Sequence, residues 1–387
     1  MALGLWIALG FGSPASAHPG AGLSETELLL FRSAAVGDRA RVDEALNRGA
    51  EIDTRDSGGW TPLMVAANAG HAAVVDLLLE RGADPDAQAE DGWSALMQAA
   101  YEGHPEVARR LLTAGADHAL REGRYGNTAL LIAARRGHPA VVGALLKAGA
   151  DVEQRDLEDG NTALIQASGG RSASSREVMG LLLARGARPD GAAADGWTAL
   201  MAAARANDSA AVELLRVAGA ELDQEASDGR TALWVAADAG AREAVSGLLN
   251  AGADPEARTV EGRSVLGAAV LSGDAWIVAR VLAGGADPDA AADAGYTAAM
   301  IAARMGAEET LIGIVNAGAD VNRQAESDGS TALYWAANRG LLDGVRRLLA
   351  AGARADIRTR DGETASQAAM MAGEAEIAEL IDSAGRR

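Results

Sequence analysis

Apolar residues recur along the chain in short helix-like clusters set at a fixed interval. In 62–69, Leu63, Ala66 and Ala67 fall at i, i+3 and i+4, one face of a helix. In 72–82, Val74, Val75, Leu77, Leu78 and Leu79 make a wider stripe. Residues 83–92 then bring Asp, Pro and Gly, which disfavour helix and predict an extended, hairpin-like turn. Taking Leu63 as the reference, its equivalents are Leu30, Leu96, Leu130, Leu164, Leu200, Leu233, Leu266, Ala299, Leu333 and Ser366, at steps of 33 or 34 with one step of 36.

Glycine keeps the same beat. Gly37, Gly70, Gly103, Gly137, Gly240, Gly273, Gly306, Gly340 and Gly373 stand seven residues after the reference, with Asn207 in that slot once. Gly49, Gly82, Gly115, Gly149, Gly186, Gly219, Gly252, Gly285, Gly318, Gly352 and Gly385 follow nineteen after it, or 22 in the longest unit. A left-handed residue that ends a helix costs Gly nothing and Asn little, so each pair predicts two short helices. A lone helix pair cannot cover such an apolar face, so neighbours must stack. The expected fold is an all-α repeat solenoid of about eleven antiparallel helix pairs joined by β-hairpin-like loops.

The "DGWTPL" opening, the "AAxxGH" between helices, the "LLL" run and "GADPD" resemble the ankyrin repeat, and "GADVN" at 318–322 resembles its usual ending. The resemblance covers about 24–387. It implies an elongated, curved stack with a concave groove lined by the outward positions of the first helices, two, five and six after the reference (Val65, Asn68 and Ala69), and by the residue before T-P-L. The family usually closes T-P-L with a His that bridges units; here Met64, Met97, Leu131, Ile165, Met201, Trp234, Gly267, Met300, Tyr334 and Gln367 replace it, an exchange of a polar staple for apolar packing. Within the T-P-L motif Pro survives only at Pro62, with Ala at most equivalent positions, which should loosen those helix starts slightly. The array divides into an N-terminal cap unit (24–53) with a Ser24/Glu27 capping box, repeats (54–356), and a C-terminal cap unit (357–387) exposing polar groups.

Composition narrows the partners. A net charge of -19 repels phosphate backbones and anionic lipid, so no nucleic acid is expected. Lys147 is the only lysine, so cationic sites offer guanidinium forks. There is no cysteine, hence no disulfide or thiolate chemistry. At the start, the apolar run 2–11, the breaker "GSP" and Ala15-Ser16-Ala17 resemble a signal peptide over 1–17, with a short flexible linker at 18–23. Cleavage near Ala17 would send the protein to the periplasm or outside the cell. That run falls short of the ~20 residues needed to span a bilayer, and no later segment reaches it.

No catalytic constellation emerges. His71, His104 and His138 recur at the "GH" turn, too far apart across stacked helices to share a metal ion. Asp84, Asp86, Asp254, Asp287, Asp289 and Asp320 recur in loops and are expected to be solvated. Asn207-Asp208-Ser209 is a formal glycosylation sequon whose Asn is already explained by the left-handed slot. No cofactor, no metal and no enzyme activity are expected.

A non-catalytic scaffold is expected instead, binding another protein or peptide through the implied groove. Its candidate residues are Trp60, Trp93, Tyr101, Arg135, Arg136, Trp197, Arg205, Arg230, Arg263, Tyr296, Arg304, Trp335 and Arg339. Tyr, Trp and Arg dominate interface hot spots, and the arginines call for acidic residues on the partner. A monomeric array is expected. A secreted effector that binds host proteins is the alternative. The fifth unit, "QASGGRSASSREV" (166–178), reads as a three-residue insertion in the inter-helix turn, with Arg171 and Arg176 offered as an anion or partner contact near Arg121, Arg124, Arg135 and Arg136.

Overall fold

The computed structural model describes residues 22–293 and 295–386. The proposed leader therefore lies outside the described residues, as does most of the linker. Among those described are 22 α-helices and one two-stranded antiparallel ladder. They cluster into two compact units that divide between Ala194 and Asp195.

The first unit contains α1 (Glu25–Val36), α2 (Arg39–Asn47), α3 (Pro62–Asn68), α4 (Ala72–Glu80), α5 (Ala95–Glu102), α6 (Pro105–Thr113), α7 (Ala129–Arg136), α8 (Pro139–Lys147), α9 (Ala163–Ser168) and α10 (Ala173–Ala184). Odd helices pack on odd and even on even, and each odd helix packs on the even helix that follows it. The second unit repeats this layering with α11 (Ala199–Arg205), α12 (Ser209–Val217), α13 (Ala232–Asp238), α14 (Arg242–Ala251), α15 (Val265–Leu271), α16 (Ala275–Ala283), β1 (Ala291–Asp293), β2 (Tyr296–Thr297), α17 (Ala298–Met305), α18 (Glu308–Asn316), α19 (Ala332–Asn338), α20 (Leu342–Ala350), α21 (Ala365–Ala372) and α22 (Ala375–Ala384). Each unit is thus an all-α solenoid of stacked helix pairs, the class the periodicity predicts.

The reference residues form the core: Leu30, Leu63, Leu96, Leu130, Leu164, Leu200, Leu233, Leu266 and Leu333 are at most 1% exposed. Glycines seven residues on adopt positive φ, and Asn207, at φ 54°, is the one described non-glycine residue that does so. Most odd helices lack Pro at their start, yet they are well capped. The hydroxyls of Thr61, Ser94, Thr162, Thr198, Thr231, Ser264, Thr297, Thr331 and Thr364 each accept a hydrogen bond from the third helical N–H. The Ser24/Glu27 capping box forms as expected. Met64, Met97, Met201 and Met300 are buried to within 1%, so apolar packing does occupy the slot of the family histidine.

The hairpin loops close locally, as when Ala89 N donates to Trp93 O and Gln88 bridges to Ser94. They are then tied to the next loop by a ladder of long side chains. Arg55 donates to the carbonyls of Gly59 and Gln88, Gln88 to those of Gly92 and Arg121, and Arg121 to those of Gly126 and Arg155. The loop acids do more than meet solvent: Asp86 accepts from Asp117 N (2.7 Å) and Asp289 from Asp320 N (2.8 Å), one unit further on.

Four expectations need correction. The fifth-unit insertion does not widen a turn. It adds a turn to the start of α10, a 12-residue helix where the other even helices have nine or ten residues, because Ser172 caps the helix by accepting from Ser175 N and Ala173-Ser174-Ser175 form its first turn. Gly385 stays right-handed at φ -69°, where the other glycines of its row are left-handed. The last odd helix does not expose polar groups alone: Met370 and Met371 are 61% and 62% exposed, and no further odd helix follows among the described residues. Finally, the position two after the reference does not open to solvent in most units. Ile132, Val235, Ala268 and Ile301 are buried, since odd helices pack on odd helices at both sides.

Candidate partner-binding site

Odd helices are short, so their last residues, five and six places after the reference, stand clear of both neighbours. Arg135 and Arg136 end α7, Arg205 ends α11, and Arg339 caps α19; all four are exposed. Arg304, near the end of α17, is half-buried. The turn residue three places before the reference lies in front of these ends and supplies the aromatic partners.

In the first unit, Trp93 and Tyr101 meet edge to face with centroids 5.6 Å apart. The Arg136 guanidinium lies 4.3 Å over the Tyr101 ring, and its Nε donates to Tyr101 O (3.4 Å). Arg135 sits beside it on the same helix without a carboxylate partner among the described residues. Trp60 does not join this group: it is 9% exposed, packed into the turn that Asp56 holds by accepting from Trp60 N. It lies behind the face and does not open onto it.

In the second unit, the Arg230 guanidinium lies 5.4 Å from the Trp197 ring and 5.9 Å from that of Trp234, and pairs with Asp228 at 2.5 Å. Arg263 pairs with Glu261 at 3.3 Å. Arg304 covers Tyr296 at 4.6 Å, and the Tyr296 hydroxyl donates to Asp328 Oδ2 (2.7 Å), so that ring, only 8% exposed, is a buried support for the arginine. Trp335 meets Tyr334 edge to face at 5.4 Å and donates from Nε1 to Ser330 Oγ. Burial and the neighbouring Glu363 carboxylate push the Tyr334 phenol up to about 12, so it stays a donor to that carboxylate. Arg205 and Arg339 have no carboxylate partner among the described residues.

Two members of the site escape a reading limited to outward-facing positions. Trp234 and Tyr334 occupy the slot taken as pure packing, yet both touch site residues. Their signal is an aromatic ring with a polar atom where the other units place Met, Leu, Ile, Gly or Gln. Of the cluster suggested around α10, Arg121 donates to the carbonyls of Gly126 and Arg155, and Arg124 lies over Tyr125.

The histidines work as inter-unit links. Nε2 of His71, His104 and His138 lies 3.0 to 3.1 Å from the carbonyls of Ala35, Asn68 and Tyr101. The sequon Asn207 is occupied too: its Oδ1 accepts from Ala244 N, and its Nδ2 donates to Glu243. No group of three His, Asp or Glu among the described residues could hold a metal ion. No described helix is long and apolar enough to cross a membrane.

Comparison with protein families agrees with this geometry. A family model described as ankyrin repeats in three copies matches residues 30–122, 171–259 and 311–385, and one described as an ankyrin repeat matches 125–157. A comparison with curated proteins returns no match.

Proposed function

The chain belongs to the ankyrin-repeat family, and from that premise we propose that it is a non-catalytic scaffold binding a protein or peptide on the exposed ends of its odd helices. Repeats of this family generally mediate protein–protein interaction, and its members are typically scaffolds without catalytic function. One observation supports the choice of face. Many arginines on even helices are matched by carboxylates, as in Arg81–Asp43, Arg110–Asp76 and Arg242–Asp274, and Arg280 and Arg347 donate to Asn250 and Asn316, whereas Arg135, Arg205 and Arg339 have no carboxylate partner among the described residues. In a chain of net charge -19, cations kept unpaired beside aromatic rings suit acidic residues on a partner.

The test is affinity capture with the purified chain and with a variant carrying Arg135→Glu, Arg136→Glu and Arg205→Glu. The partner of the parent chain should be lost by at least tenfold while the helical circular dichroism spectrum is unchanged. Equal capture of the same partner by both would move the site to another face.

The second part of the proposal is export of a monomeric array, supported by the leader-like 1–17 stretch. A mature N-terminus near His18 in the periplasm or medium is expected, and an intact Met1 in the cytoplasm would overturn it. Entry into a host cell would favour the effector alternative.

A further inference from the structure

The second unit holds a pocket of about 370 Å³, lined by Asp228, Arg230, Trp234, Thr259, Val260, Glu261 and Arg263. That volume suits one or two residues of a bound chain. Trp234, 7% exposed, forms part of its wall, and its Nε1–H is buried with no acceptor among the described residues. A buried donor without a partner is costly and uncommon in native structures. Nor does packing demand it, since four other units fill the same slot with Met, which carries no donor. Trp335, in the same unit, shows the ordinary arrangement, with its indole N–H satisfied by Ser330.

The electrostatics of the wall define what could supply the acceptor. Arg230 pairs with Asp228 and Arg263 with Glu261, so two cations and two anions leave the lining formally neutral. An incoming carboxylate would have to displace Asp228 or Glu261 and would be repelled by the other; an incoming ammonium would meet both guanidinium groups. An uncharged amide avoids both penalties. Its carbonyl can accept from the Trp234 indole, and its NH₂ can donate to Asp228 or Glu261. The Arg230 and Arg263 side chains, 35% and 42% exposed, are long enough to part and admit it. Val260, 75% exposed at the lip, offers apolar contact to the stem of such a side chain.

We propose that this pocket is a specificity subsite for an Asn or Gln side chain of the bound peptide, an inference that rests on the odd-helix face being the peptide-binding face. It gives the face of the second unit two kinds of selection: acids at Arg205 and Arg339, and an uncharged amide at Trp234.

The test is a random heptapeptide phage library panned on the full chain and on Trp234→Phe, which removes the N–H and keeps an aromatic ring. The expected result is enrichment of Asn or Gln at one position on the parent chain and its loss on Trp234→Phe, with about tenfold weaker binding of a synthetic peptide of the selected sequence. An acidic consensus with no fixed amide overturns the subsite and leaves the face standing. An amide consensus that survives Trp234→Phe also overturns the subsite. No enrichment of any peptide overturns both. If Trp234→Phe does not fold, the ¹H–¹⁵N signal of the Trp234 indole in the parent chain decides: a downfield shift and slowed exchange on adding the selected peptide support the subsite, and an unmoved signal rejects it.

Discussion

Arginines on the even helices and arginines at the ends of the odd helices are chemically identical and are used in opposite ways. On the even side several reach a neighbouring repeat: Arg81 pairs with Asp43, Arg110 with Asp76, Arg242 with Asp274. On the odd side Arg136 and Arg304 lie on tyrosine rings, and Arg135, Arg205 and Arg339 meet no acid among the described residues. Exposed ion pairs contribute about 0 to 1 kcal/mol each, so the even-side pairs matter less for stability than for using up charge. The difference between the faces is one of availability.

Four measurements break or sharpen that contrast. The largest effect belongs to the core that both faces share. Leu233→Ala should lower the free energy of unfolding by roughly 2 to 5 kcal/mol in a urea titration, felt mainly by neighbouring units. A loss below about 1 kcal/mol would mean that the two faces do not hang from a common core.

Next is Glu122, buried in the turn that leads into α7, the helix that ends in Arg135 and Arg136. Burial pushes its carboxyl up, but hydrogen bonds from the N–H groups of Asn127, Arg124 and Tyr125 and from the Asn127 side chain outweigh it and hold the group below its ordinary 4.5. A depressed folded-state value gives stability that is complete above the unfolded value and disappears as pH falls through the folded one. Glu122→Gln should therefore destabilise by about 1 to 3 kcal/mol at pH 7, and the gap to the parent should close below about pH 4. A gap unchanged at pH 3 would reject the carboxylate's role.

Smaller still, Arg242→Ala should cost less than about 1 kcal/mol of stability and leave partner affinity alone. Arg205→Ala is expected to leave the melting curve unchanged and to weaken partner binding by several fold. Were Arg205→Ala the destabilising one, the contrast between the faces would be reversed.

Much of this architecture was legible because it is enforced by backbone stereochemistry. The glycine rows and Asn207 mark left-handed positions that few residues tolerate, so the letters and the geometry agree. The ladder through Arg55, Gln88, Arg121 and Arg155 was illegible for the converse reason: any long donor can reach two carbonyls, so Arg and Gln interchange and no single letter marks the row. The added turn of α10 does carry a signal, Ser172 accepting from Ser175 N, but Gly169 and Gly170 just before it suggest a loop. At the site, Trp93, Tyr101 and Arg136 assemble into one cluster, whereas Trp60 and Tyr296 are drawn inward by hydrogen bonds that periodicity does not encode.

One contact in the first unit bears on how such a chain can change by recombination. A Cβ on Gly37 would stand 2.6 Å from the His71 ring, one on Gly70 2.7 Å from His104, and one on Gly103 2.5 Å from His138. Each glycine is thus reserved twice, by its own φ and by an imidazole belonging to the following repeat. Duplicating or deleting a segment keeps these pairs matched wherever the cut falls, provided that whole multiples of the period are exchanged. Any other crossover strands a ring against a methyl group.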